Sequence, residues 1–325
     1  TNVTIIGSGI LGGLVAQNWD TGTITNSYVS VDTSTNPAAS STVTTSSATN
    51  STEWVGGFVG FNNGTISNSH ADVTVTALAG EAGGFVGSNQ SDLVNGGRGL
   101  ITDSYATGAV FVTDAGGGGF AGENYGTITG SYSTGDVTAA FVSGYTNGGG
   151  GVGGFVGNNT STGTLSADYS TGNVKISAGS INSIGGFAGT NRGSISNVRA
   201  YGSVDAGTFA ISVGGLVGVN TGSIAGSTAS GASVAGDGQV GGLVGDNSGT
   251  IASSNSSVNV ESVGGPQGGG QAGGFVGTNT GSITGTNTST GNVTAVAGDM
   301  VGGFVGYNNG GTISGNATSI GNVVA

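Results

Sequence analysis

The chain has 325 residues, of which only 6% are charged and 73 are Gly, and its net charge of −12 rests on few ionisable groups. Four Lys+Arg in all provide no basic groove for nucleic acid and no cationic patch for anionic lipid. The absence of Cys excludes disulfides and thiolate metal sites, and no apolar run approaches the ~18 residues of a membrane span.

Glycine in this abundance without order would mark a flexible linker. Here it recurs at matched places. The first instance is Gly12-Gly13-Leu14-Val15-Ala16-Gln17-Asn18, and the fullest is Gly56-Gly57-Phe58-Val59-Gly60-Phe61-Asn62-Asn63-Gly64-Thr65-Ile66. Further copies open at Gly83, Gly118, Gly153, Gly185, Gly214, Gly241, Gly273 and Gly302, 27 to 44 residues apart. Spacing in this window marks a repeat fold.

Each unit reads as three short strands divided by Asn-Gly, Thr-Gly or Ser-Gly turns. The glycine phrase is the first. The second centres on Ile24, Ile66, Ile101, Ile128, Leu165, Ile195, Ile224, Ile251, Ile283 or Ile313. The third centres on Val73, Val110, Val137, Val174, Val204, Val234, Val293 or Val323. Helical spacing of apolar residues is missing. One such unit cannot bury its apolar face alone, whereas stacked units can, each adding ~4.8 Å along an axis. The expected fold is all-β: a right-handed parallel β-solenoid (β-helix) of about ten coils, with residues 1–325 as one domain on the order of 50 Å long. Segments near 33–52 (with Pro37), 90–98, 141–151 and 262–271 break the spacing and read as surface loops.

In a parallel stack like residues lie on like. Leu14, Phe58, Phe85, Phe120, Phe155, Phe187, Leu216, Leu243, Phe275 and Phe304 then form an internal column. The residue after each is also small and apolar, Val59 for example. Strand neighbours point to opposite faces. Two adjacent apolar columns therefore require a glycine bulge, or a cover over the outer face from loops or a neighbouring molecule.

Asn18, Asn62, Asn89, Asn124, Asn159, Asn191, Asn220, Asn247, Asn279 and Asn308 stand six residues after each first glycine. Stacked amides donate to one neighbour and accept from the other, so this set is expected to form a structural ladder. Four residues after the isoleucine column lie Tyr28, His70, Tyr105, Tyr132 and Tyr169, followed by Arg199, Thr228, Asn255, Asn287 and Ala317. The four tyrosines are the candidate contact row, either for sugars or a neighbouring rod, or simply for one another.

Both ends fall at nearly the same phase of the repeat. Thr1-Asn2-Val3-Thr4 matches Gly291-Asn292-Val293-Thr294, and the chain stops after Gly321-Asn322-Val323-Val324. Opening on Thr1 rather than Met, it reads as a processed or excised segment. Uncapped solenoid ends invite strand pairing. Head-to-tail self-association into a filament is therefore one expectation, and a piece cut from a longer array is the other.

The glycine phrase, the asparagine, the Gly-Thr-Ile step and Asp103-Ser104-Tyr105-Ala106-Thr107-Gly108 resemble GLUG-motif repeats. Such repeats occur in bacterial cell-surface and haemagglutinin-like exoproteins and beside some IgA-cleaving metallopeptidases. The resemblance implies a secreted, extracellular β-solenoid. It does not imply peptidase activity, because His-Glu-x-x-His needs two histidines and the chain has one.

A polysaccharide-cleaving β-helix enzyme would need converging carboxylates or a placed base. Asp72, Asp136 and Asp205 fall in non-adjacent coils, and Asp168 with Arg199 reads as an ion pair. No catalytic, cofactor-binding or metal residue is therefore expected, nor a cofactor. Thr107, Thr134, Thr171 and Thr290 would make only a broken ice-binding row. The expected function is an extracellular structural protein: a filament subunit partnered by itself, or an adhesive stalk. The alternative is a carbohydrate-binding adhesin module contacting surface glycans or neighbouring filaments.

Overall fold

The computed structural model describes residues 3–30, 40–46, 53–90, 99–141, 150–208, 210–264, 270–296 and 300–325, which contain strands, turns and bends and no helix. Each coil holds five strands rather than three. In the second coil these are Thr42–Thr45, Trp54–Gly56, Val59–Asn62, Thr65–Ser67 and His70–Ala71. Each pairs in parallel with its counterparts one coil before and after. The result is five parallel sheets, four of ten strands and one of eleven. They are named here, in the order above, the valine, pre-glycine, asparagine, isoleucine and tyrosine sheets. Strands as short as His70–Ala71 are hard to see in sequence, because two residues cannot display an alternation.

The core is a set of axial columns. Phe58, Phe85, Phe120, Phe155 and Phe187 stack face to face with centroids 4.6–4.8 Å apart and planes within 11°. Phe275 and Phe304 repeat this at 4.6 Å. Leu216 and Leu243 fill the interval and are fully buried. Ile66, Ile101 and Ile128 share register, as do Val43, Val75, Val110 and Val137. The valine of the second coil is therefore Val75, not Val73. Val73 instead fills the turn position that Gly108 takes in the next coil, where a Cβ on Gly108 would strike the Val73 carbonyl.

A bend resolves the paired apolar columns. Phe58 lies between the strands Trp54–Gly56 and Val59–Asn62, where the chain turns a corner. The Phe58 and Val59 N–H groups both donate to the Phe85 carbonyl, at 2.9 and 3.0 Å, and Phe155 and Val156 share Phe187 in the same way. The register stays one residue to one, Val59 on Val86, so the corner and not an inserted residue interrupts the alternation. Phe58 and Val59 are thus both wholly buried. The same corner folds the asparagine sheet against the pre-glycine sheet. A Cβ on Gly122 would stand 2.6 Å from the Gly87 oxygen and 2.8 Å from the Ala82 nitrogen, so the two backbones meet where no side chain fits.

The expected loop boundaries cut too deep. Thr42–Thr45, Ser262 and Gln271 belong to strands. Pro37, Arg98 and most of the four insertions lie outside the described residues.

Candidate functional site

The asparagines form one directional chain. Each Nδ2 donates to the Oδ1 of the next coil, from Asn18 to Asn62 through to Asn279 and Asn308, at 2.7–2.9 Å. Each also donates to a glycine carbonyl of its own turn, such as Gly99 at 3.0 Å. That carbonyl sets the direction, because a reversed amide would point oxygen at oxygen. The eight asparagines from Asn62 to Asn279 are wholly buried. They close turns and leave no amide for a ligand.

A second ladder went unnoticed in the sequence. Ser27, Ser69 and Ser104 each donate their backbone N–H to the Oγ of the next coil's serine, and Ser131 donates to Asp168 Oδ1 at 2.8 Å. Serine is so common in this chain that one column of it carries no signal. Asp168 substitutes for a serine here and also accepts from Ser166 N–H at 2.9 Å. Burial pushes its carboxyl well above the ordinary range, against the pull of these two N–H groups. The expected Asp168–Arg199 ion pair does not form. Asp168 points inward, and the only bond between the two runs from Arg199 N–H to the Asp168 carbonyl, 3.1 Å.

Tyr28, His70, Tyr105, Tyr132 and Tyr169 do line up, with centroids 4.6–5.1 Å apart and planes within 7°. This geometry limits what the row can bind. Each inner ring has both faces covered by its neighbours and offers solvent an edge and a polar tip. A sugar stacking on a ring face finds one only where the row ends. In the ninth and tenth coils the row shifts by one residue. Asn255 pairs with Thr288, and Thr288 with Thr318. Asn287 and Ala317 are thus not in the row. The extra residues Thr286 and Asn316 follow the left-handed Gly285 and Gly315. Asn287 turns inward and takes the N–H of Ser254 at 2.9 Å.

The acidic residues considered from the sequence are engaged on the surface. Asp72 lies 3.7 Å from His70 and accepts from Thr107 at 2.7 Å, Asp136 accepts from the Asn173 N–H, and Asp205 pairs with Lys175 at 3.2 Å. The acidic pair that matters is Glu81 and Glu123, on strands Glu81–Gly83 and Ala121–Asn124 of the two sheets that fold together. Burial raises the Glu81 carboxyl well above its ordinary range, and the Glu123 charge adds to this against the Gly150 N–H. Glu81 Oε2 is shut off from solvent without a hydrogen-bond partner. Burial raises Glu123 too, opposed by Asn158, Trp54, Tyr125 and the charge of Arg192. Burial and the neighbouring Glu123 charge both favour the protonated form of Glu81. In sequence the two are 42 positions apart with nothing to link them.

Among the described residues no cluster of three or more His, Cys, Asp or Glu could hold a metal ion.

The end coils differ from the rest. Leu14 at one end and Ile313 at the other are 45% and 39% exposed, where their column mates inside are wholly buried. Among the described residues the ladder runs from Asn18, whose Oδ1 takes no ladder amide, to Asn308, whose Nδ2 donates to the Gly311 carbonyl.

The family model of the GLUG motif matches residues 7–35, 55–76 and 209–235. Those three stretches carry the GLUG motif. The match over 55–76 runs from Val55 through the Phe58 corner, Asn62 and Ile66 to the valine sheet, so this GLUG motif corresponds to nearly one coil. No curated protein and no solved structure was found to match the chain.

Proposed function

We propose that this GLUG-repeat chain is an extracellular structural rod that lengthens by end-to-end stacking. The observation carrying the proposal is the common polarity of the stack, in which every ladder amide donates to the next coil. One end offers the acceptor of Asn18, the other the donor of Asn308, and all five sheets are parallel. A second copy set head to tail would extend the amide ladder and the four ten-stranded sheets, and would cover Leu14 with Phe304. A head-to-head pair would oppose like groups. Contacts of this heterologous kind grow without closing. The resemblance of the repeats to those of cell-surface exoproteins supports the extracellular placement. So does the low charge, in a fold held by columns and ladders rather than ion pairs.

Two blocking variants test this. Leu14→Lys should close one end to growth and Ile313→Lys the other. In sedimentation, the unmodified chain is expected to form a ladder of species that lengthens with concentration. Each variant alone should remain one chain long, and an equal mixture should stop at dimers, through the one intact end of each. An unmodified chain that sediments as a single rod at all concentrations would rule the proposal out.

A further inference from the structure

The aromatic row ends at a pocket that a rod does not require. After Tyr169 the next row position is Arg199, and Tyr201 stands two residues further on. The Tyr201 ring meets Tyr169 edge-on, at 6.3 Å and 78°. Tyr132 covers one face of Tyr169 at 4.8 Å, and on the other side the row continues with Arg199 rather than a ring, so the aromatic stack stops there. Between them lies a cavity of about 380 Å³ lined by Ala167, Asp168, Tyr169, Asn197, Arg199 and Tyr201. Small-molecule sites occupy a few hundred Å³.

The charge in this pocket is out of the ordinary for the chain. Of the three described cations, Lys175 is paired with Asp205 at 3.2 Å and Arg192 donates to Asn158 at 2.6 Å. Arg199 has no ion pair or side-chain hydrogen bond among the described residues, although Asp168 is adjacent. The Asp168 carboxyl is turned to Ser131 and Ser166 and is 1% exposed. A guanidinium in this state is free for a planar anion, which it grips with two parallel bonds.

We infer that the Tyr169–Arg199–Tyr201 pocket binds a carboxylate-bearing sugar residue, a uronate, at one position along a glycan. The carboxylate meets Arg199, the C–H face of the sugar lies against the Tyr169 and Tyr201 rings that line the pocket, and the Asn197 amide serves the hydroxyls. A carboxylate on a peptide would use Arg199 but has no ring for Tyr169. The net charge of −12 opposes any polyanion at long range, but at physiological salt this is screened beyond ~8 Å. The local pocket then decides.

The test is titration of the full chain at physiological salt with a galacturonate tetrasaccharide, a neutral galactose tetrasaccharide and tetraglutamate, followed by calorimetry. The uronate is expected to bind at least about tenfold more tightly than either other probe, the scale of a hydrogen-bonded charge pair. Arg199→Gln should erase that preference, Tyr201→Ala should weaken uronate binding, and Lys175→Gln, a cation elsewhere, should change nothing. Thermal unfolding of each variant confirms that the coil persists. Uronate affinity unchanged in Arg199→Gln, equal binding of the neutral sugar or of tetraglutamate, or no binding of uronate at millimolar concentration would each overturn the inference. None of these outcomes bears on end-to-end stacking, which uses other surfaces.

Discussion

Asn159 sits mid-ladder, accepting from Asn124 and donating to Asn191 and to Gly163. Replacing it with Leu strands the Asn191 Oδ1 without a donor and the Asn124 Nδ2 without its ladder acceptor, while the Gly163 carbonyl keeps the Ser194 N–H. At ~1–3 kcal/mol per buried polar group left unpaired, Asn159→Leu should cost about 2–5 kcal/mol in urea unfolding. Asn308 is exposed, and the same change there should cost under ~1 kcal/mol. Glu81 makes a second, pH-dependent case. Its folded carboxyl titrates well above the ordinary 4.5, so the fold binds that proton more tightly than the unfolded chain does. The resulting stability is complete below pH 4.5 and is lost as pH rises through the folded value, where a buried carboxylate must ionise beside Glu123. Burial raises Glu123, Asp168 and Asp246 in the same direction. The melting temperature should therefore fall from mildly acidic to alkaline pH. Glu81→Gln should flatten that slope and melt higher than the unmodified chain at pH 7 and above.

At the level of the strand, legibility followed from recurrence. The phenylalanine, isoleucine and asparagine columns were readable because each position is chemically distinctive and repeats at a matched phase. The serine ladder was not, since one more Ser in a Ser-rich chain stands out from nothing. Val73 was misplaced by two residues because the turn ahead of the valine strand tolerates either Gly or Val. Asn287 was misplaced by one because the extra Thr286 leaves the surrounding pattern intact. Glu81 and Glu123 meet only because the pre-glycine and asparagine sheets fold together at the corner, and the Arg199 pocket depends on how neighbouring coils of the tyrosine sheet stack, which is three-dimensional information. The strand count has a consequence for assembly. The valine sheet has eleven strands where the others have ten. In a head-to-tail stack, Val323–Val324 and the incoming copy's Thr4–Gly7 claim the same place, so one must release. Removing residues 322–325 should then speed growth, as measured by light scattering. Slower growth would mean that this strand belongs to the contact.

Over the whole molecule, stability comes from many small equivalent contacts between neighbouring coils, as in other quasi-one-dimensional folds. Such a fold has no natural length, and its ends are its most reactive surfaces. Ten layers at the spacing of the phenylalanine stack make a rod whose two ends match in polarity and nearly in phase. Electron cryo-microscopy of the concentrated protein examines this directly. The account predicts unbranched filaments one solenoid wide, with strong layers near 4.8 Å along the axis and a subunit repeat of about 50 Å. Rods that stay one chain long, or that associate only side by side, would contradict it.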